Sequence, residues 1–187
     1  MGKKLCDMSL SELWELFPIF LTEHRACWKQ WYEEESHRLY ALLPAHAVAR
    51  ISHIGSTAVD TIRAKPIVDI LVEIKDMDLR DAAQCLIDNG YLCMSQSELH
   101  IALNKGYTEH GYAERVFHLH VRYVGDHDEL FFRDYLCSFP EIAEQYEALK
   151  LVLWKRYEHN RDAYTEGKTN FVTKYTAAAK KLFADRY

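Results

Sequence analysis

The chain has 187 residues, the size of one ordinary domain, and its 49% apolar and 27% charged residues are typical of a soluble globular protein. These proportions exclude collagen-like, disordered and coiled-coil proteins. A formal net charge of −5 gives the molecule as a whole no basic field for duplex nucleic acid. We expect one domain with a helical arm at 1–45, an α/β core at 46–125 and C-terminal helices at 126–187.

The N-terminal region and the cysteines bear on the cellular compartment. The longest apolar run near the start, Leu16 to Leu21, is far short of the roughly 20 residues that a membrane span needs. The five cysteines are an odd number and include no C-x-x-C pair, which argues against a disulfide framework and a thiolate zinc site. We therefore expect a cytoplasmic protein with no membrane partner and no signal peptide, and the oligomeric state stays open.

The first half of the chain alternates helical and extended patterns. The segment 9–12 is a capping-box pattern, in which Ser and Glu satisfy each other's backbone N–H groups. The nearly continuous apolar run over 66–74 is typical of a central buried strand. The predicted elements are a short helix after Ser9, an amphipathic helix after Pro18 to about Leu43, strands over 48–54 and 66–74, a short helix over 56–62 between them, and a helix over 78–89 closed by Gly90.

The second half continues with strands and ends in helices. We expect a flexible loop over 104–115 that borders a cleft. The predicted elements are strands near 91–95, 99–103 and 116–124, a helix starting near Glu129, a helix from Ser138 with a capping box and Pro140, and a last helix that carries Phe171 and Leu182. The order predicts a mixed α/β fold whose sheet of four or five strands is flanked by N- and C-terminal helices.

The stretch from His53 to Asp69 carries most of the chemistry. A strand that ends in Gly55-Ser56 and leads into a helix places free backbone N–H groups where a phosphate can bind. The next strand brings Asp69 alongside, and a carboxylate beside bound phosphates is how proteins hold Mg²⁺. Lys65 either meets a phosphate or pairs with Asp69.

These residues resemble the nucleotidyltransferase superfamily, in which a Gly-Ser turn precedes a strand that carries an Asp; here twelve residues separate Ser56 from Asp69. Within it the chain is similar to the GrpB (UPF0157) family, whose hallmark resembles His-Ile-Gly-Ser-Thr followed by Ala-Lys-Pro-Ile-x-Asp-Ile-Leu-Val. Further matching blocks lie at 116–121, at 132–136, and at Tyr164 with Lys168.

The resemblance implies a nucleotidyltransferase-like core and a nucleotide or another phosphorylated small molecule as ligand, with Gly55, Ser56 and Thr57 as phosphate-binding residues. The superfamily usually carries a second acid two residues after the first, where this chain has Leu71. Glu73 lies on the same strand face and is a candidate substitute.

Two histidines alternate with apolar residues on a predicted strand. His118 and His120 therefore share one face with Arg122, a further cationic candidate, and His53 at the end of another strand could join them. With Asp69, three histidines would form a site for Zn²⁺ or another transition metal. The same histidines could instead line a polar cleft or be structural.

Three functions follow from these residues. The first is a Mg²⁺-dependent nucleotidyl- or phosphoryl-group transferase in which Asp69 holds the metal and His118 or His120 acts as a metal ligand or a general base. The second is a non-catalytic nucleotide- or coenzyme A-binding module. The third is the histidine-based metal site. Tyr164 and Lys168, four residues apart on one helical face, are candidates to close over the cleft.

Overall fold

The computed structural model describes residues 3–187, which contain seven α-helices, two 3₁₀ turns and one five-stranded sheet. The helices are α1 Leu10–Leu16, α2 Cys27–Leu42, α3 Leu79–Ile87, α4 Asp128–Ser138, α5 Pro140–Tyr157, α6 Arg161–Glu166 and α7 Thr169–Leu182. The strands are β1 Val48–Ile54, β2 Val68–Ile74, β3 Leu92–Gln96, β4 His100–Thr108 and β5 Gly111–Tyr123, and the 3₁₀ turns are Leu5–Asp7 and Ser56–Ala58.

The sheet is mixed and has the strand order β1-β2-β5-β4-β3. The central pair, β2 and β5, is parallel, and every other pair is antiparallel. This confirms the expected mixed α/β fold with helices before and after the sheet. The helices of residues 3–187 include none that is both long enough and apolar enough to cross a bilayer.

One face of the sheet carries the main hydrophobic core. Ile70 and Val72 of β2 and Leu119 of β5 are fully buried on this face. They pack against α2 and α3, with Trp28 and Leu86 among the helical partners. Because successive side chains of a strand point to opposite faces, the residues between them must face the other way.

The opposite face of the same strands is polar. The strand register sets Asp69 beside His118 and Glu73 beside Arg122, with Leu71 beside His120 between these two pairs. The C-terminal helices cover this face, beginning with α4, whose Leu130 packs on Ile54 and Leu71. The polar face therefore becomes the floor of a cavity.

The predicted helix after Pro18 is wrong in its first third, since α2 begins at Cys27. Thr22 instead pairs with Ala64 through two backbone hydrogen bonds in an isolated bridge. Ile19 and Leu21 are buried in this extended segment, so tertiary packing outweighs the helical spacing of the sequence.

Three other local predictions are also corrected. The helix expected over 56–62 is only the 3₁₀ turn Ser56–Ala58. The loop expected over 104–115 is a β-hairpin in which Tyr107 pairs with Tyr112, and a bulge at Gly106 interrupts the ladder. Ser138 is the last residue of α4, and α5 begins without a side-chain cap. The capping box at Ser9 is confirmed, because Glu12 accepts from the Ser9 backbone N–H at 2.7 Å.

Candidate functional site

A cavity of about 380 Å³ lies between the polar face of the sheet and the helices α4 to α7. The strands supply its floor, and the helices supply the opposite wall. The cavity is lined by Gly55 and by many residues with polar side chains. These polar residues are Ser56, Thr57, Lys65, Asp69, His118, His120, Glu129, Arg133, Tyr146, Lys150, Arg161, Tyr164, Thr165 and Lys168. Most of the residues that the sequence indicates for phosphate and metal binding therefore line one cavity.

Gly55 makes the turn that brings Ser56 against the sheet. Its φ of +69° lies in the region that favours glycine. A Cβ built at this position would run into the Asp69 carboxylate and lie 2.9 Å from its Cγ. Ser56 lines the cavity together with Tyr146 of α5. Because the turn that follows has only three residues, it provides no helix dipole of the kind expected from the sequence.

A chain of hydrogen bonds leads from Asp69 to the helical wall. His118 Nδ1 lies 3.3 Å from Asp69 Oδ1, and a carboxylate only accepts, so Nδ1 is the donor. Burial lowers the pKa of His118, which keeps the imidazole neutral and leaves Nε2 as an acceptor. The Tyr107 hydroxyl donates to this Nε2 at 2.7 Å, and Arg161 Nη2 donates to the same hydroxyl at 3.0 Å.

This hydrogen-bond chain is anchored by the β4–β5 hairpin. Arg161 Nη2 also donates to the Tyr112 hydroxyl at 3.0 Å, and both tyrosine rings pack against Phe17. Burial raises the pKa of Tyr107, so its hydroxyl stays protonated. The hairpin thereby fixes the position of Arg161 at the cavity and the tautomer of His118.

The two histidines of β5 differ in what they can do. Both nitrogens of His118 are engaged, by Asp69 and by Tyr107, so this residue is not free to act as a base. His120 Nε2 lies 4.0 Å from Asp69 Oδ1, beyond hydrogen-bond distance. Burial raises the pKa of the Asp69 carboxyl, but the two imidazoles outweigh burial and hold that pKa well below its usual range. Asp69 is therefore ionised.

Cationic side chains dominate the wall opposite Asp69. Lys65 Nζ and Lys168 Nζ lie 5.5 Å and 4.5 Å from the centre of the Tyr164 ring. Lys150 is 2% exposed, donates to the Arg63 carbonyl, and lies 5.0 Å from the centre of the Tyr146 ring. Tyr164 and Lys168, which the sequence offers as candidates to close over the cleft, both line the cavity wall.

Three residues of this wall are not predicted from the sequence. Lys150 occupies a core-facing position of α5, four residues after Tyr146, and a lysine in such a position could have signalled a buried polar site. Arg161 lies on α6, a six-residue helix that was not predicted and that leaves no periodic signal. Arg133 of α4 lines the cavity while it donates to the His53 carbonyl.

Three candidate residues lie outside the cavity. His53 pairs with Ile70 and so faces the α2 side of the sheet, where its ring stacks on Tyr32 and burial lowers its pKa to about 4. It supports the site only indirectly, through a 3.0 Å contact of Nε2 with Thr57 Oγ1. The histidine-based transition-metal site therefore lacks its third histidine.

Glu73 and Arg122 are occupied by other partners. Glu73 is 1% exposed and lies 2.5 Å from Arg50 Nε and 2.9 Å from His127 Nδ1. Arg122 pairs with Asp126 at 2.9 Å and with Glu129 at 2.5 Å. Four residues of strand, about 13 Å, separate Glu73 from Asp69, so the two carboxylates cannot share a metal ion.

The residues fit one magnesium ion and not two. Within residues 3–187, no group of three or more His, Cys, Asp and Glu side chains is arranged to hold a metal ion. A Mg²⁺ ion often takes one protein carboxylate and completes its shell with phosphate oxygens and water. Asp69 fits that role, whereas the buried Leu71 offers no ligand for a second ion.

The fold and the cavity define the class: a mixed α/β protein with a cavity of about 380 Å³, rich in basic side chains, on the polar face of its sheet. The chain belongs to the GrpB protein family, whose model matches residues 18–178. It is 32% identical over 161 residues to the glutamate-rich protein GrpB of Alkalihalophilus pseudofirmus, covering 82% of this chain and 91% of that protein.

Two more relatives illustrate the range of lengths. The chain is 37% identical over 145 residues to a UPF0157 protein of Deinococcus radiodurans, covering 73% of each. It is 29% identical over 158 residues to the UPF0157 protein YqkA of Bacillus subtilis, covering 82% of this chain and 45% of that protein. The chain thus spans less than half the length of the Bacillus subtilis relative.

One solved structure shows the same fold. The crystal structure of conserved protein GrpB from Enterococcus faecalis matches with a TM-score of 0.76 and 29% identity, covering 89% of this chain and all of that one. A weaker likeness, with a TM-score of 0.47 and 13% identity, links 84% of this chain to 51% of the Cid1 poly(U) polymerase.

Proposed function

We propose that the cavity binds a nucleotide or another phosphorylated small molecule. The excess of positive charge in its wall carries this proposal. Arg133 is ion-paired with Asp134, and Glu129 is ion-paired with Arg122. Apart from histidines and tyrosines, the remaining ionisable side chains of the lining are four basic groups, Lys65, Lys150, Arg161 and Lys168, and one carboxylate, Asp69.

Buried cations without anionic partners are unfavourable unless a ligand supplies the compensating charge. A phosphate fits this cavity because its oxygens accept hydrogen bonds from lysine, arginine and the Ser56 hydroxyl at once. Because Gly55 has no side chain, the turn can pass directly against the Asp69 carboxylate. The proposed phosphate site is thus built from Ser56, the lysines and Arg161.

The proposal is tested by titrating the protein with ATP, ADP and coenzyme A in an isothermal calorimeter, with and without Mg²⁺. We expect at least one of these compounds to bind and Lys168→Met to weaken its binding about tenfold or more, because a hydrogen bond to a charged group is lost. Lys174→Met is the matched control, since Lys174 lies on the same helix over a tyrosine ring but is exposed outside the cavity. Equal affinity of both variants would contradict the proposed site.

A second candidate function is a Mg²⁺-dependent nucleotidyl- or phosphoryl-group transfer. The position of Asp69, ionised and next to the Gly55 turn, favours it. A Mg²⁺ ion held by Asp69 would supply charge neutralisation and orientation of a phosphate. In this proposal the lysines and Arg161 neutralise the remaining phosphate charge. We assign to His120 the role of accepting the proton of an attacking hydroxyl, because His118 is engaged on both nitrogens.

The Asp69→Asn variant separates binding from metal-dependent transfer. It keeps the shape of the side chain but removes its charge, so Mg²⁺ should no longer strengthen nucleotide binding. Binding in EDTA should stay equal or become tighter, because a negative charge next to the phosphates is lost. If wild type binds ATP with equal affinity in Mg²⁺ and in EDTA, the metal-dependent function is contradicted while ligand binding stands.

A further inference from the structure

Three of the lysines that line the cavity form a cluster. We call these residues the lysine cluster: Lys65 from the segment before β2, Lys150 from α5, and Lys168 from the start of α7. Lys65 and Lys168 approach the same Tyr164 ring. The carboxylates whose charges act on them are already engaged, Asp69 by His118 and Glu147 by Arg63 at 3.0 Å. The cluster therefore brings three basic side chains together, and none of them has an anionic partner of its own.

Apart from Asp69 of β2 and Glu129 of α4, the other elements around the cluster add positive or neutral groups. Arg161 of α6 repels Lys65, and Lys168 repels both Lys65 and Lys150. The charged and titratable groups that line the cavity or act on the cluster are Asp69 of β2, His118 and His120 of β5, Glu129 and Arg133 of α4, Tyr146 and Glu147 of α5, and Arg161 and Tyr164 of α6. Asp69 is thus the one carboxylate that lines the cavity without an arginine partner.

This environment disfavours three simultaneous ammonium charges. Burial, followed by the charges of Lys168 and Arg161, lowers the pKa of Lys65 to about 7. Burial and the charge of Lys168 lower the pKa of Lys150 to about 7 as well, and burial lowers the pKa of Lys168. Before a phosphate arrives, part of the cluster is therefore neutral near physiological pH, and an anion would restore the missing protons.

The number of charges indicates how many phosphates match the site. With Lys65, Lys150, Arg161 and Lys168 all protonated, the positive charges exceed the single charge of Asp69 by three. One phosphate monoester carries at most about two negative charges at neutral pH. A single phosphate therefore leaves charge uncompensated, whereas two linked phosphates balance it.

We propose that the lysine cluster binds two or more linked phosphates, as in a diphosphate or triphosphate, and takes up protons from water as it does so. This inference rests on the proposed function, because it concerns the same cavity. It assigns to the lysines the neutralising role that a second metal ion would otherwise have, which is consistent with Leu71 at the position of a second acid. No covalent step is involved.

The test is a calorimetric titration with inorganic pyrophosphate, tripolyphosphate and phosphate in EDTA. Titrations at pH 8 in two buffers of different ionisation enthalpy give the number of protons taken up. We expect pyrophosphate to bind about tenfold or more tightly than phosphate, and wild type to take up about one proton at pH 8 and close to none at pH 6.

Variants assign the protons to the cluster. Lys65→Met and Lys150→Met should each lose a measurable part of the uptake at pH 8, and the exposed Lys174→Met should keep all of it. Comparing variants at one pH removes the contribution of the phosphate's own ionisation.

Three outcomes overturn the inference without touching the proposed function: pyrophosphate binding with no proton uptake at pH 8, uptake that persists in both cluster variants, or phosphate binding as tightly as pyrophosphate. If no nucleotide, coenzyme A or inorganic phosphate compound binds at all, the proposed function itself fails.

Discussion

The two faces of the sheet differ although the same strands build both. On one face, Ile70 and Leu119 belong to the large core under α2 and α3. On the other, their neighbours Asp69 and His118 meet at 3.3 Å in the cavity floor. Successive side chains of a strand point to opposite faces, so a substitution changes one face only. Residues of the same strand therefore serve either the stability of the core or the ligand-binding cavity.

The polar face is itself divided into an open and a closed part. Ile54, Leu71 and Leu130 form a small apolar cluster between them. On one side lies Asp69 with the cavity, and on the other lies Glu73, enclosed by Arg50 and His127. Leu71 is therefore part of a packed barrier, which explains physically why a second acid has no place there.

The largest expected effect is on the apolar face. Leu119→Ala removes a fully buried side chain from the central strand, and we expect the free energy of unfolding to fall by about 3 kcal/mol, measured by urea denaturation. The affinity for phosphate compounds should stay within about twofold, since Leu119 faces away from the cavity. Val152→Ala on an exposed position of α5 is the control and should change stability by less than about 0.5 kcal/mol.

A change at the Gly55 turn should affect both stability and binding. Gly55→Ala places a methyl group against the Asp69 carboxylate at a backbone φ of +69°. We expect a loss of about 2 kcal/mol in thermal or urea unfolding, together with loss of phosphate binding. Gly90→Ala also has a positive φ but no heavy atom within 4 Å of the added Cβ, so it should lose stability and keep binding. A Gly55→Ala variant that binds normally would contradict the assigned turn.

The pH dependence of stability should reveal the buried lysines. The pKa of Lys150 is about 7 in the folded protein, against an ordinary value of 10.5. Between these values the unfolded chain holds one more proton, so the free energy of unfolding gains a contribution that rises with pH. We expect Lys150→Met to flatten the rise of melting temperature between pH 7 and 10. An unchanged slope would mean that Lys150 is not neutral in the folded protein.

The smallest expected effect comes from the hydrogen-bond chain behind the cavity. Tyr107→Phe removes the hydroxyl that donates to His118 and accepts from Arg161, at a cost of about 1 kcal/mol. His118 Nε2 then loses its donor, so we expect the NMR signals of this imidazole to shift and its tautomer to become mixed. Tyr40→Phe, at an exposed position, is the control. An unchanged His118 spectrum would contradict the proposed donor and acceptor roles.

The sequence predicts the strand half of the cavity better than the helical half. Alternation along 116–121 places His118 and His120 on one face, and the structure sets both near Asp69. His53 is on the wrong face because Ile54, one residue later, is the partner of Asp69. Lys150 and Arg161 enter the cavity only through packing of α5 and α6 on the sheet, and such long-range contacts leave no local pattern.

The β4–β5 hairpin has a consequence for the order in which the molecule assembles. Its tyrosines contact Phe17 near the start of the chain and Arg161 near the end. A cavity built from such distant segments requires late, non-local contacts, and these form slowly because long loops must close first. We expect the cavity to be completed only after α6 has been synthesised and docked. A phosphate ligand would then bind only the fully folded protein, and its binding would stabilise the folded state against unfolding.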